Sequence, residues 1–183
     1  MYRRKHRSAG ESPPRGVRQN GAMQLTARHV FEASCDRVFA MVTDPSFLLQ
    51  ACRDLGALSE TIRVEPTDVG AITDVEADVE VPGPLATFAG PTSRVVERME
   101  WGPADADGAR SARFSIKVVG LPVTVDAVAR LAPIPGGCAV DYKGTLAVKV
   151  PLIGPVIEKQ AAPFVLETLD VQQQTGNAWL ASH

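Results

Sequence analysis

The sequence predicts an α+β domain in which a mostly antiparallel sheet curls around one long helix at the end of the chain. Three observations predict it. A strand-like alternation at Leu25 to Glu32 runs into a helix start at Ser34-Cys35-Asp36, a long strand-rich stretch follows, and the chain closes on a helical segment from Pro155 to Ala181. A single helix ending such a chain must bury its apolar stripe, and the concave face of the sheet is the surface available. The space between them is a candidate pocket.

Leu25, Ala27, His29 and Phe31 alternate with Thr26, Arg28, Val30 and Glu32, the period of a two-faced strand. Ser34 or Asp36 then caps a short helix with Val38, Phe39 and Val42 on its apolar side. Asp44-Pro45 starts a second short helix, Asp44 as cap and Pro45 at the first helical position, and Gly56 ends it. Six more strands are predicted at Leu58 to Glu65, Ala71 to Val81, Thr92 to Trp101, Ala112 to Val119, Val123 to Leu131 and Cys138 to Val150, making seven strands with two short helices between the first and second. Turn-rich separators join the strands, so neighbours pair antiparallel. Between Pro82 and Pro91, Leu85, Ala86, Phe88 and Ala89 read either as loop padding or as a half-turn of helix flapped over one end of the sheet.

Ala71 to Val81 alternates cleanly. Thr73, Val75, Ala77, Val79 and Val81 take one face, and Asp74, Glu76, Asp78 and Glu80 the other. Carboxylates two residues apart on one strand form a stripe about 7 Å apart, not a converging cage, so they read as a solvated face rather than a metal or acid-base site. In the last helix Ile157, Ala161, Phe164, Val165, Thr168, Gln172, Thr175, Gly176 and Trp179 share one broad face, apolar at its ends and more polar in the middle. Lys159, Glu167 and Asp170 lie opposite, and Pro163 should bend the helix and free a carbonyl near Lys159.

The 183 residues fit one domain over 23–183, and a core of that size buries about 70% of the unfolded surface. Apolar content of 45% with only 5% aromatics implies an aliphatic interior. The net charge of -2 hides a split: Arg3, Arg4, Lys5, Arg7, Arg15 and Arg18 against Glu11 leave -7 on the rest of the chain. An acidic body argues against a nucleic-acid-binding surface. Residues 1–22, polar and basic with Gly and Pro, are expected to be a disordered tail, with contact of the RRKHR cluster to anionic lipid or nucleic acid as the alternative; Met23 stands just before the first periodic segment. Cys35, Cys52 and Cys138 are odd in number and lack CxxC spacing, so they read as reduced thiols in a cytoplasm. No apolar run follows the basic start, so export is not expected, and no stretch is long and apolar enough to span a membrane.

The run Phe31-Glu32-Ala33-Ser34-Cys35-Asp36-Arg37-Val38-Phe39-Ala40-Met41-Val42-Thr43-Asp44 resembles the opening strand and helix of the START-like (SRPBCC) superfamily, the helix-grip fold of polyketide cyclases, lipid-transfer domains and birch-pollen-allergen relatives. The order of elements matches over Gln24 to Ala181. Val148-Lys149-Val150-Pro151-Leu152-Ile153-Gly154-Pro155-Val156-Ile157-Glu158, with Trp179-Leu180, is similar to a bacterial branch of uncharacterised function. The resemblance implies a seven-stranded antiparallel sheet gripping the terminal helix over an apolar cavity.

The predicted inward set is Leu25, Ala27, Val75, Ala77, Val79, Phe114, Ile116, Val118, Val123, Val125, Cys138, Val140, Leu146 and Val148, almost wholly aliphatic. Such a lining suits a hydrophobic ligand held by burial and oriented by a few polar groups. The handles available by parity or helical phase are His29, Glu97, Tyr142, Thr168 and Gln172, beside Phe164. His29 reads as a general base or as a packed core histidine. Glu97, in phase with Val95, Met99 and Trp101, faces the pocket with a raised pKa unless a one-residue bulge turns it outward. Tyr142 presents its hydroxyl to a ligand or bonds the backbone. Glu158, on the first turn of the last helix, reads as a partner of the positive helix end.

GxSxG, HExxH, GxGxxG and GxxxxGK[ST] are all missing, and three histidines at 6, 29 and 183 cannot build a His-rich metal site, so neither cofactor nor metal is expected. The leading expectation is binding or carriage of an apolar small molecule: a lipid, isoprenoid or polyketide-like compound. One alternative is a cyclase- or dehydrase-type enzyme in which Glu97, His29 or Tyr142 moves a proton. The other is a protein-interaction module with no ligand. Transient membrane contact is compatible with the carrier reading.

Overall fold

The computed structural model describes residues 17–19, 22–81 and 83–183. The period-two pattern after Ala22 forms strand β2, Ala22–Phe31, whose inner positions Met23, Leu25 and Phe31 are buried. A short strand β1, Val17–Gln19, pairs antiparallel with its start. This adds an edge strand to the seven expected and lies within the stretch read as tail; residues 1–16, 20 and 21 lie outside the described residues.

Ser34 caps α1, Cys35–Val42, its side chain accepting from the Arg37 backbone N–H. Asp44 caps α2, Pro45–Asp54, accepting from the N–H groups of Ser46 and Phe47. Proline at the first helical position loses nothing, since its missing N–H would have had no partner inside the helix. Gly56, at φ 74°, closes the helix as expected, taking a left-handed conformation that a side chain would strain. The two helices carry the chain from β2 to the far edge of the sheet.

There β3, Ser59–Pro66, starts a meander through β4, Ala71–Glu80, β5, Thr92–Trp101, β6, Arg110–Val118, β7, Val123–Ile134, and β8, Gly137–Val148. The antiparallel sheet runs β1-β2-β8-β7-β6-β5-β4-β3, so β8 returns to lie beside β2. β7 runs on to Ile134, past the expected turn at Pro133. The β6 ladder stops at Leu131, so Pro133 faces no β6 acceptor and its lost N–H breaks no bond on that side. Between β4 and β5 the loop-padding reading gives way to a two-turn helix, α3, Gly83–Ala89.

On the outer face of β4, Asp74 and Asp78 pair in register with arginines of β5. Asp74 accepts from Arg98 at 2.7 Å and Asp78 from Arg94 at 2.9 Å. Exposed pairs like these add little stability, as a solvated face should.

The last helix, α4, spans Gly154–Ser182 and continues through Pro163. It lies across β2 and β8 and against α2. It comes close at Gly176, where a Cβ atom would stand 2.8 Å from the Phe31 ring and 3.1 Å from the Met41 methyl. Only glycine lets the helix sit so deep. Lys159, Glu167 and Asp170 are exposed, as the helical phase predicts.

One reading is corrected. Cys35, at the start of α1, and Cys138, at the start of β8, form a disulfide; only Cys52 is a free thiol. Spacing in sequence could not show this, because Phe31 and Cys138 become neighbours only through the β2–β8 ladder. Glu158, on the first turn of α4, is 2% exposed, and its Oε1 accepts the Val148 backbone N–H at 3.1 Å. The end of β8 is thereby tied to the first turn of α4.

Candidate functional site

Sheet curvature and a helix held off by the α2 and α3 segments leave a cavity of about 740 Å³ between the concave face and α4. Its floor follows from the register. Leu146, Val125, Ile116, Glu97 and Val75 lie side by side across β8, β7, β6, β5 and β4, all on the inner face. Four apolar side chains and one carboxyl therefore make a single row. Twelve of the fourteen inward positions expected line the cavity; Cys138 and Val140 are buried instead in the core near α1.

Of the candidate site residues, Val75 and Val79 on β4, Glu97 on β5, Phe114 and Ile116 on β6, and Tyr142 on β8 face the cavity from the sheet. Phe164, Thr168 and Gln172 face it from α4. His29 does not line it. The His29 ring is packed between Phe31 and Tyr142, with centroids at 6.1 and 4.9 Å, and its Nε2 has no hydrogen-bond partner among the described residues. Burial pushes its pKa down to about 4, against the opposing influence of the Leu169 backbone. A neutral, packed ring is the core reading of that residue.

β5 runs without a bulge from Thr92↔Glu80 to Trp101↔Ala71, so parity holds and Glu97 points inward. No hydrogen bond or ion pair reaches its carboxyl among the described residues, and it lines the cavity. Burial pushes its pKa up to about 7. Tyr142 forms no hydrogen bond through its hydroxyl among the described residues, contrary to the backbone-bonded alternative, and burial together with the Glu97 charge raises its pKa. Thr168 donates to the Phe164 carbonyl at 2.9 Å, which leaves it only an acceptor to offer. The Gln172 amide has no partner among the described residues.

Sequence reasoning missed one wall. Leu48, Ala51, Cys52 and Leu55 of α2 line the cavity, and their spacing of three, four and seven residues was a readable helical stripe. Leu85 and Phe88 of α3 cover one end. Burial, with the Glu97 and Glu60 charges, lifts the Cys52 thiol to about 11, so it stays protonated and unreactive near neutral pH. Of the acids on the lining, Glu97 is inside while Asp54, Glu80 and Glu167 are exposed to solvent, and among the described residues the lining has not one lysine, arginine or histidine. No group of His, Cys, Asp and Glu among the described residues is arranged to hold a metal ion. No described helix is long and apolar enough to cross a membrane.

Solved structures share this architecture. TTHA0849 from Thermus thermophilus matches with a TM-score of 0.62 at 16% identity, covering 87% of this chain and 97% of that one. Human STARD10 matches at 0.57 and 11% identity, covering 95% and 78%. A START superfamily protein from Mycobacterium smegmatis matches at 0.53 and 16% identity, covering 87% and 99%. At these identities the likeness establishes the START-like helix-grip fold. No curated protein matches the sequence. A family model described as "Protein of unknown function (DUF2505)" matches residues 26–180, and the chain belongs to that family.

Proposed function

We propose that this member of the DUF2505 family binds and carries an apolar small molecule in the cavity between sheet and α4. The observation that carries the reading is the cavity itself: about 740 Å³, walled mainly by aliphatic side chains and lying within the range of small-molecule sites. A module that only bound proteins would have no reason to keep such a volume empty, since each unfilled cavity in a core costs packing energy. START superfamily neighbours with the same architecture support the choice of ligand class. A cyclase would need an acid and a base arranged about the substrate, whereas Glu97 has no hydrogen-bonded partner among the described residues. The carrier is therefore favoured.

Contact with membranes fits the same region. Ile153 both lines the cavity and is 41% exposed, and its neighbour Leu152 is 96% exposed at a positive φ of 67°. An apolar tip continuous with the cavity gives a lipid-like ligand a route that avoids water. A cytoplasmic home is part of this proposal only on composition, because the Cys35–Cys138 bond removes the cysteine argument for a reducing compartment.

The test is titration with the neutral fluorophore N-phenyl-1-naphthylamine. A saturable rise in emission at one site, lost in a Val79→Trp variant that obstructs the cavity and still unfolds cooperatively, supports the proposal. No binding by the wild-type protein, or equal binding by both, overturns it.

A further inference from the structure

The lining is chemically one-sided, and this says more about the ligand than that it is apolar. Glu97, Tyr142 and Gln172 all face the cavity with hydrogen-bonding atoms that no described residue takes up. A buried polar group left without a partner costs free energy, so three in one cavity are open positions for a guest. Glu97 lies in the floor, flanked in its row by Ile116 and Val75.

We infer that the ligand is an uncharged apolar molecule carrying a hydroxyl or carbonyl, anchored on the Glu97 carboxyl with the Tyr142 hydroxyl and Gln172 amide as the remaining polar contacts. The inference rests on the proposed binding of an apolar molecule and narrows it.

Each charged class is disfavoured for a separate reason. An anionic head, such as a fatty-acid carboxylate or a phosphate, meets no cation among the described lining residues and finds the Glu97 carboxyl in the floor. A like charge beside Glu97 would have to be neutralised before it could enter. A cationic amine would need an ionised Glu97 in an aliphatic row, and stripping water from both ions offsets much of their attraction. A neutral oxygen function meets neither cost. A protonated Glu97 donates to a carbonyl or exchanges hydrogen bonds with a hydroxyl, and Tyr142 donates or accepts as required. The raised pKa of Glu97 agrees with a carboxyl that stays protonated up to neutral pH.

The experiment is displacement of N-phenyl-1-naphthylamine by four probes of equal chain length: decane, decanol, decylamine and decanoate. For the wild-type protein at pH 6, decanol should bind about tenfold more tightly than decane and than either charged probe, as expected for one buried hydrogen bond. Glu97→Leu should erase the advantage of decanol over decane while leaving decane bound, which also shows that the variant folds. Glu97→Gln, which keeps a donor and an acceptor in nearly the same shape, should restore it. Decylamine or decanoate binding as tightly as decanol overturns the inference, as does a decanol preference that survives in Glu97→Leu. If the fluorophore binds but the four probes do not differ, the inference fails and the carrier reading stands; if the fluorophore itself does not bind, both fail.

Discussion

The carboxylate of Glu158, one turn into α4, accepts the backbone N–H of Val148, the last residue of β8, at 3.1 Å. Both groups are buried, so the bond is formed away from water and fixes where the helix leaves the sheet. That departure sets the height of one end of the cavity. Glu158→Ala leaves the Val148 donor without its acceptor and should cost about 2–3 kcal/mol, the range for a buried charged hydrogen bond. The check is the urea midpoint at unchanged slope. A variant as stable as wild type would show the bond to be incidental.

Glu97 makes stability fall as pH rises. Its carboxyl would titrate near 4.5 in the unfolded chain and titrates at about 7 in the folded one. Between those values the folded state holds the proton that the unfolded state has lost, so stability declines through the window and levels off above it, by up to about 3 kcal/mol. His29 acts in the opposite sense. It is lowered from 6.5 to about 4, so its burial costs stability as pH falls from 6.5 towards 4. The two slopes nearly cancel in the wild type. Glu97→Gln should unmask the histidine, giving a protein whose stability relative to wild type grows steadily from pH 4.5 to 7.5 in urea titrations.

The Cys35–Cys138 bond closes a loop with a sequence separation of 103. Alkylation of the denatured, unreduced protein should therefore add one group, at Cys52, and three after reduction. Loops of that length are worth about 4–5 kcal/mol in the chain-entropy account, although engineered examples often give less. Paired Cys35→Ser and Cys138→Ser substitutions should lower the urea midpoint accordingly. Three labelled thiols before reduction would contradict the pairing.

Gly176 lets α4 pack closely on Phe31 and Met41. Gly176→Val places branched carbons against Phe31 and Met41 and should cost about 1–3 kcal/mol by overpacking, despite valine's better helix propensity. Gly56→Ala is a useful comparison, because the space there is open and only its positive φ resists the change. Thermal unfolding should rank Gly176→Val below Gly56→Ala.

Much of this was legible in the residues. The Ser34 and Asp44 caps, the alternation of β4 and the phase of α4 are local signals, and each forms where its chemistry points. The inward turn of Glu97 was legible only up to the question of a bulge, which the unbroken β4–β5 ladder answers. What stayed hidden depends on partners distant in the chain. The disulfide needs β2 and β8 to be neighbours, the burial of Glu158 needs β8 to end at Val148, and β1 needs an edge to join. α3 lacked periodicity because seven residues are too few to show it.

The central claim is that the cavity between sheet and α4 exists to hold an apolar molecule. Native mass spectrometry of the protein purified from its own host, with organic extraction of whatever is released, tests it most directly. The account predicts a stoichiometric passenger that is uncharged, apolar and oxygenated, and that is missing from Val79→Trp. Repeated recovery of empty protein that also fails to take up neutral apolar probes would contradict it.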